Sequence, residues 1–135
     1  MNLAEKIPRS PKMKIKGIIM IPRMIDKSKA YHSNSLGEYI FPCLLDKIIL
    51  EFLGTDHKEF AHQTQKLSDE KMALWVGEKC LYKSKSDKDY INNKLLRQKP
   101  DTIESLERFK KIKDKIGSIA KNVTTWVELI EVEEN

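Results

Sequence analysis

The sequence predicts an all-α protein, with about five to seven helices in a single compact domain packed round a central apolar helix at residues 43–53. Three observations predict this fold. Apolar residues recur at intervals of three and four along most of the chain. Several of these stretches begin at a helix-capping residue, and several end at glycine or proline. A length of 135 residues suits one domain whose core needs neither metals nor disulfides.

The composition is typical of a globular protein, because 40% of the residues are apolar and 33% are charged. The longest uncharged apolar run, residues 17–22, is far shorter than the roughly 20 residues that cross a bilayer. No small-residue cleavage site follows it. Cys43 and Cys80 lie far apart and form no CxxC pair, so we expect reduced, unlinked thiols. These features predict a cytoplasmic protein that has no membrane partner.

The chain is basic, with a net charge of +5, which raises the question of a nucleic-acid partner. Only four of the 25 cationic residues are arginines, the residue that best recognises phosphates and bases in a bidentate manner. A general bias towards lysine explains the charge equally well. We therefore expect an anionic small molecule or a protein as the partner, with nucleic acid as the weaker alternative.

The first predicted helices lie in the N-terminal third of the chain. Residues 1–9 are expected to form a loose segment. Ser10 followed by Pro11 has the form of a helix cap, which predicts a short helix there. Pro22 is well placed to open the next helix, expected over Pro22–His32, where charged and apolar residues fall on different faces.

The central helix is predicted over Cys43–Leu53, the most apolar stretch of the chain, with Gly54 as its C-terminal stop. Further helices are predicted at residues 56–67, 68–80, 87–99, 102–116 and 126–132, on caps at Thr55 or Asp56, Ser68, Ser86 or Asp87, Asp101 and Thr125. The last of these also alternates apolar and polar residues, so a strand remains an alternative there. The predicted core side chains are Leu45, Ile48, Ile49, Phe52, Trp75, Leu106 and Phe109.

Common chemical signatures are absent from the sequence, including phosphate-binding glycine loops, the HExxH zinc motif and the GxSxG nucleophile motif. His57 and His62 are five residues apart, which places them on different sides of a helix. We therefore predict no metal site and no cofactor, and can assign no catalytic residue.

Four segments resemble one bacterial protein family in the same order along the chain. They are IPRMIDKSKA at residues 21–30, LGEY at 36–39, LDKIILEFLG at 45–54 and TTWVELIEVEE at 124–134. Together they resemble the family called domain of unknown function 5069. The resemblance implies a small bacterial cytoplasmic protein and implies no activity. Residues 82–119 depart from the family pattern, being richer in lysine and lacking its tryptophan-containing helix.

The candidate ligand site comprises five polar residues of these segments: Arg23, Asp26, Lys27, Glu38 and Tyr39. The first three occupy positions i, i+3 and i+4 of one helix face, and a turn at Gly37 would fold the other two back towards it. In one interpretation the cluster is a surface ion-pair group of a binding or interaction module.

In the other interpretation the chain is a small enzyme. Arg23 and Lys27 would hold an anionic substrate, and Asp26 or Glu38 would act as acid or base. The module is favoured, because the sequence offers no nucleophile with an adjacent base and no set of metal ligands.

Overall fold

The structure, a computed structural model, describes residues 1–135 and is mainly helical, which confirms the predicted fold class. Two short strands precede seven α-helices, and a single turn of 3-10 helix at Ser118–Ala120 lies between the last two. The elements are β1 Lys14–Ile15, β2 Ile18–Ile19, α1 Ile21–His32, α2 Leu44–Leu53, α3 His57–Lys66, α4 Asp69–Lys79, α5 Lys85–Leu96, α6 Ile103–Ile116 and α7 Trp126–Glu134. None of the helices is both long and apolar enough to cross a membrane.

The chain divides into two compact units, residues 1–92 and residues 93–135. The first unit contains the strands and helices α1 to α4. The second unit has its own apolar cluster, in which Phe109 and Leu129 are buried and Trp126 packs edge-on against Phe109 at 5.0 Å between ring centroids. The expectation of one helical domain over residues 1–135 stays a prediction.

A β-hairpin occupies the region just after the predicted short helix at Ser10 and Pro11, and that prediction was wrong. Lys16 and Gly17 both have positive φ, 53° and 80°, the turn geometry that matches the twist of two antiparallel strands. Asn92 fixes the hairpin, because its side-chain oxygen accepts from the Ile19 amide at 3.0 Å and its nitrogen donates to the Gly17 carbonyl at 2.8 Å. The hairpin thereby buries Ile18 completely.

Helix α1 is the most thoroughly buried helix of the first unit, with nine of its twelve residues buried. The sequence analysis placed α2 at the centre instead, but only five of the ten α2 residues are buried and Leu44 is 47% exposed. The prediction ranked the helices by apolar content, which is highest in α2. Helix α1 is nevertheless more buried, because its charged residues Arg23, Asp26 and Lys27 are buried as well. Gly54, in the left-handed conformation at φ 73°, ends α2 as predicted.

The predicted core is confirmed in part. Leu45, Ile49 and Phe109 are buried, whereas Ile48, Phe52 and Trp75 are half-buried. Leu106 is 52% exposed, so its assignment to the core was wrong. The apolar cluster of the second unit includes Phe109 and packs against Ile112 and Ile116, later in α6. Leu106, nearer the start of that helix, lies outside the cluster.

Side-chain caps fix the helix starts close to their predicted places. Asp56 and Ser68 cap α3 and α4 as predicted. Helix α6 begins one residue later than predicted, with Thr102 rather than Asp101 as its cap. The cap of α5 also differs, because Ser84 and Asp87 bond each other's backbone amides across its first turn.

The last segment is a helix, because Thr125 caps α7 by accepting a hydrogen bond from the Glu128 amide at 3.3 Å. Glu128 in turn accepts from the Thr125 hydroxyl at 2.8 Å, and this bond lowers the pKa of Glu128 below its ordinary value. The reciprocal cap removes the strand alternative for this segment.

The N-terminal segment is held in place, in contrast to the loose segment expected for residues 1–9. Leu3 is only 4% exposed, and its amide donates to the Ser35 carbonyl at 2.8 Å. The Ser35 hydroxyl donates to the Met1 carbonyl at 2.8 Å. Gly37 makes this approach feasible, since a Cβ added there would lie 2.9 Å from the Ala4 Cα.

We predict that Gly37→Ala destabilises the protein by about 2–3 kcal/mol, because it combines a positive φ with a backbone collision. The control is Gly54→Ala, which has a similar φ of 73° but open space at the added Cβ. It should cost only about 1 kcal/mol. Urea unfolding of the two variants measures the difference, and equal losses would show that the close approach contributes nothing.

Candidate functional site

Helix α1 buries three charged residues of the predicted site. Arg23 is 3% exposed, Asp26 6% and Lys27 4%. A charge removed from water costs several kcal/mol unless a partner of opposite charge or a set of hydrogen bonds replaces the water. Each of these side chains therefore needs partners within the fold, and the structure supplies them from elements outside α1.

Asp26 is held by Arg9, which lies in the N-terminal segment. The two guanidinium nitrogens Nε and Nη2 of Arg9 donate to the two carboxylate oxygens of Asp26 at 3.1 and 3.0 Å. The Arg9 backbone amide adds a third hydrogen bond at 2.9 Å. A paired geometry of this kind is the strongest form of the arginine–carboxylate interaction. The segment before the hairpin is thereby fixed to α1.

Arg9 also reaches a second carboxylate, because its Nη1 lies 2.9 Å from the half-exposed Asp69 at the start of α4. Burial disfavours the charged guanidinium, but the hydrogen bonds and charges of Asp26 and Asp69 outweigh this effect and raise the pKa of Arg9. Arg9 thus remains a cation that links three parts of the first unit.

Lys27 forms a separate buried ion pair with Asp46, at 2.7 Å from Nζ to Oδ2. The two side chains are 5% and 0% exposed. Asp46 Oδ2 also accepts from the Cys43 backbone amide at 2.9 Å, so the same carboxylate caps α2. Lys27 Nζ further donates to the Cys43 sulfur at 3.3 Å. The second carboxylate oxygen, Oδ1, is buried without a hydrogen-bond partner.

Arg23 and Tyr39 are brought together as the sequence analysis expected, since the guanidinium carbon lies 5.5 Å from the centre of the Tyr39 ring. Arg23 also donates to the Arg9 carbonyl at 3.3 Å. Glu38, by contrast, is exposed. Arg23 and Asp26 both bond Arg9, whereas Lys27 pairs with Asp46, so residues outside α1 supply partners that their spacing did not suggest.

Sequence reasoning missed Arg9, Asp46 and Cys43, which supply the partners of the predicted residues. Nothing in the local pattern links Arg9 to Asp26, 17 positions later. Asp46 did carry a signal, because it is an acidic residue at the third position of an apolar helix, where it can cap. That signal predicts a cap at the start of α2, whereas the burial of Asp46 accompanies its ion pair with Lys27.

An open groove lies on the first unit, beside the end of α2 and the start of α3. Its volume is about 590 Å³, and most of its lining is apolar. The lining residues are Pro42, Lys47, Leu50, Glu51, Thr55, Asp56 and His57. The ring of His57 meets the rings of Tyr31 and Phe41 edge-on at 5.9 and 6.2 Å, so an aromatic group supports one wall.

The chemistry available to these groups is narrow. No cluster of three or more His, Cys, Asp or Glu side chains is placed to hold a metal ion. Burial and the charge of Asp46 raise the pKa of the Cys43 thiol, despite the nearby Lys27 ammonium. A protonated thiol is a poor nucleophile. The polar network therefore orders the fold, and the groove presents the open apolar surface.

Comparison with known proteins gives one family. The family model described as "Domain of unknown function (DUF5069)" matches residues 5–135, nearly the whole chain. A search of curated proteins found no match.

We predict that Asp26→Ala lowers the free energy of unfolding by about 3 kcal/mol, because it leaves the partly buried Arg9 without its paired carboxylate. Asp69→Ala is the matched control, since it removes the other, half-exposed carboxylate from the same arginine. That loss should stay below about 1 kcal/mol. Denaturant unfolding compares the two, and equal, small losses would contradict a buried structural role for Asp26.

Proposed function

Because the chain belongs to the family called domain of unknown function DUF5069, whose description names no activity, we propose a function from its geometry. The protein is a binding module without catalytic activity. It holds an apolar side chain of a partner protein in the groove beside α2 and α3. The proposal rests on one observation. Asp26 and Lys27 of α1 are already paired with Arg9 and Asp46, whereas the groove is open and mainly apolar.

The surroundings of the groove support a protein partner. Leu44 and Ile40, on either side of Pro42, are 47% and 60% exposed. Leu44 also precedes Lys47 and Glu51 by three and seven positions, so all three share a face of α2. An apolar depression beside exposed apolar side chains and a charged rim is the usual anatomy of a protein-binding surface.

The rim charges indicate the chemistry of the partner. Glu51 and Asp56 place two carboxylates on the groove of an otherwise basic chain, against one lysine, Lys47. A partner segment that carries a lysine or arginine beside its apolar anchor complements this arrangement. Basic flanks should therefore bind more tightly than acidic flanks.

The predicted site of Arg23, Asp26, Lys27, Glu38 and Tyr39 stays a separate proposal for a small anionic ligand. Its weakness is that Lys27 and Arg9 already neutralise the buried carboxylates Asp46 and Asp26, so the pairs would have to open. Each opening would strand a buried charge. We therefore favour the groove as the functional surface and an interaction role over an enzymatic one.

We propose the bacterial cytoplasm as the place of action. The family resemblance of the sequence supports this, and so does the presence of two unpaired cysteines. A reducing compartment would keep both thiols free.

The test uses synthetic peptides that carry a leucine or phenylalanine anchor, flanked by either lysine or glutamate, with binding measured by fluorescence anisotropy. The lysine-flanked peptides should bind the wild-type protein, and Glu51→Lys should weaken them roughly tenfold, as expected for reversal of a rim charge. Glu78→Lys is the matched control, since Glu78 is also an exposed glutamate in the last turn of a helix, away from the groove.

Equal affinity for both variants, or binding that survives replacement of the anchor by alanine, would contradict the groove as the binding surface. Backbone amide shifts in an NMR titration then locate any binding that does occur. Shifts centred on Glu38 and Tyr39, rather than on Leu50 and Thr55, would favour the anion site instead.

A further inference from the structure

Three reactive groups meet where α1 faces the start of α2, and the proposed function uses none of them. The Cys43 sulfur lies 3.3 Å from Lys27 Nζ, and that ammonium lies 2.7 Å from the Asp46 carboxylate. Cys43 is half-buried, whereas Lys27 and Asp46 are buried. An electrophilic sulfur, a nitrogen nucleophile and a proton acceptor would therefore be in contact if Cys43 were oxidised.

We propose that Cys43 and Lys27 form an oxidation-sensitive modification site, at which a hydroperoxide converts the thiol and the amine into a covalent sulfur–nitrogen link. This inference is independent of the proposed groove function. The geometry is one that a solitary cysteine would lack, because the Lys27 nitrogen is held in hydrogen-bonding contact with both the Cys43 sulfur and the Asp46 carboxylate.

The first step is oxidation of the thiol by hydrogen peroxide. The Cys43 sulfur attacks one peroxide oxygen, the O–O bond breaks, and the products are a sulfenic acid and water. The sulfur loses two electrons, and these reduce the peroxide. The sulfenic sulfur is then an electrophile within reach of Lys27.

The second step joins the two side chains. The Lys27 ammonium gives one proton to the Asp46 carboxylate, and the resulting amine attacks the sulfenic sulfur. The S–N bond forms as the S–O bond breaks, and the departing hydroxide takes a second proton from the nitrogen to leave as water. Sulfenic acids condense with nearby nitrogen nucleophiles in this way. The net reaction consumes one peroxide, releases two waters and removes two hydrogens from the protein.

The burial of Cys43 sets the rate of the first step. Desolvation and the Asp46 charge raise the pKa of the thiol, and the Lys27 charge only partly offsets them. Because the thiolate is the form that attacks peroxide, the link should form slowly at neutral pH and faster in alkaline solution. The site would therefore respond to sustained oxidant exposure.

The link would tie Lys27 on α1 to Cys43, which is adjacent to the groove residue Pro42. Joining residues 27 and 43 removes conformational freedom from the unfolded chain, but the link also turns the Lys27 ammonium into a neutral nitrogen and takes the charged partner away from Asp46. The linked protein should therefore melt at a different temperature from the reduced protein. Reduction with a thiol should reverse both the link and the change in melting temperature.

The experiment treats the full-length Cys80→Ala variant with hydrogen peroxide, followed by intact mass measurement and peptide mapping. Cys80 is removed first, because a disulfide between the two cysteines would cause the same mass change. The expected result is a loss of about 2 Da, with one cross-linked species that joins the peptides containing Lys27 and Cys43. Cys43→Ser in the same background should show no loss.

A second variant guards against simple misfolding, since removal of Lys27 alone would strand Asp46. Lys27→Gln combined with Asp46→Asn replaces the ion pair by two neutral amides, and in that variant Cys43 should gain oxygen without forming a link. Oxygen added to Cys43 with Lys27 unmodified in the otherwise native chain would overturn the proposal. The absence of any reaction at Cys43, even in alkaline solution, would overturn it equally.

Discussion

The buried ion pair between Lys27 and Asp46 is the constraint on which the first unit depends. Its two side chains are 5% and 0% exposed, and their charges are separated by 2.7 Å. Neither charge can be buried without the other, so α1 and the start of α2 must come together in one register. The same carboxylate caps α2 through the Cys43 amide. One interaction therefore ties the start of α2 to α1 and also caps α2.

The pairing of buried charges also supports the proposal that the groove is the binding surface. Arg9 fixes Asp26 and reaches Asp69, so the N-terminal segment, α1 and α4 are held by a second set of charges. Asp26 and Lys27 of the candidate site thus each hold a partner from elsewhere in the first unit. The groove beside α2 and α3 lies outside this network and keeps an open, mainly apolar lining. Binding there requires no buried charge to lose its partner.

Local patterns in the sequence predicted the helices well, because caps such as Ser68 and Thr125 act within one turn of the residues they serve. The hairpin was not predictable in this way. Its strands have two residues each, and it is held by Asn92, which is 73 positions from Ile19. Apolar content alone also overestimated the burial of Leu106, which lies on the right face of α6 but beyond its packed half.

Of the candidate site, the sequence predicted the charged residues of α1 but not their partners. The spacing of Arg23, Asp26 and Lys27 identified a charged stretch of α1, but periodicity carries no information on partners that are distant in sequence. Arg9 lies in a segment that seemed to lack structure, and Asp46 lies in the most apolar helix. The pairing of both depends on tertiary contacts that neither local composition nor spacing encodes.

The most direct measurement is a double-mutant cycle on the central ion pair, with Lys27→Met and Asp46→Leu measured alone and together by denaturant unfolding. Each single change leaves a buried charge without its partner and should cost about 3–5 kcal/mol. The double variant should recover most of that loss, because two apolar side chains then pack where the pair was. Additive losses, with the double variant as unstable as the sum of the singles, would contradict the claim that this pair organises the fold.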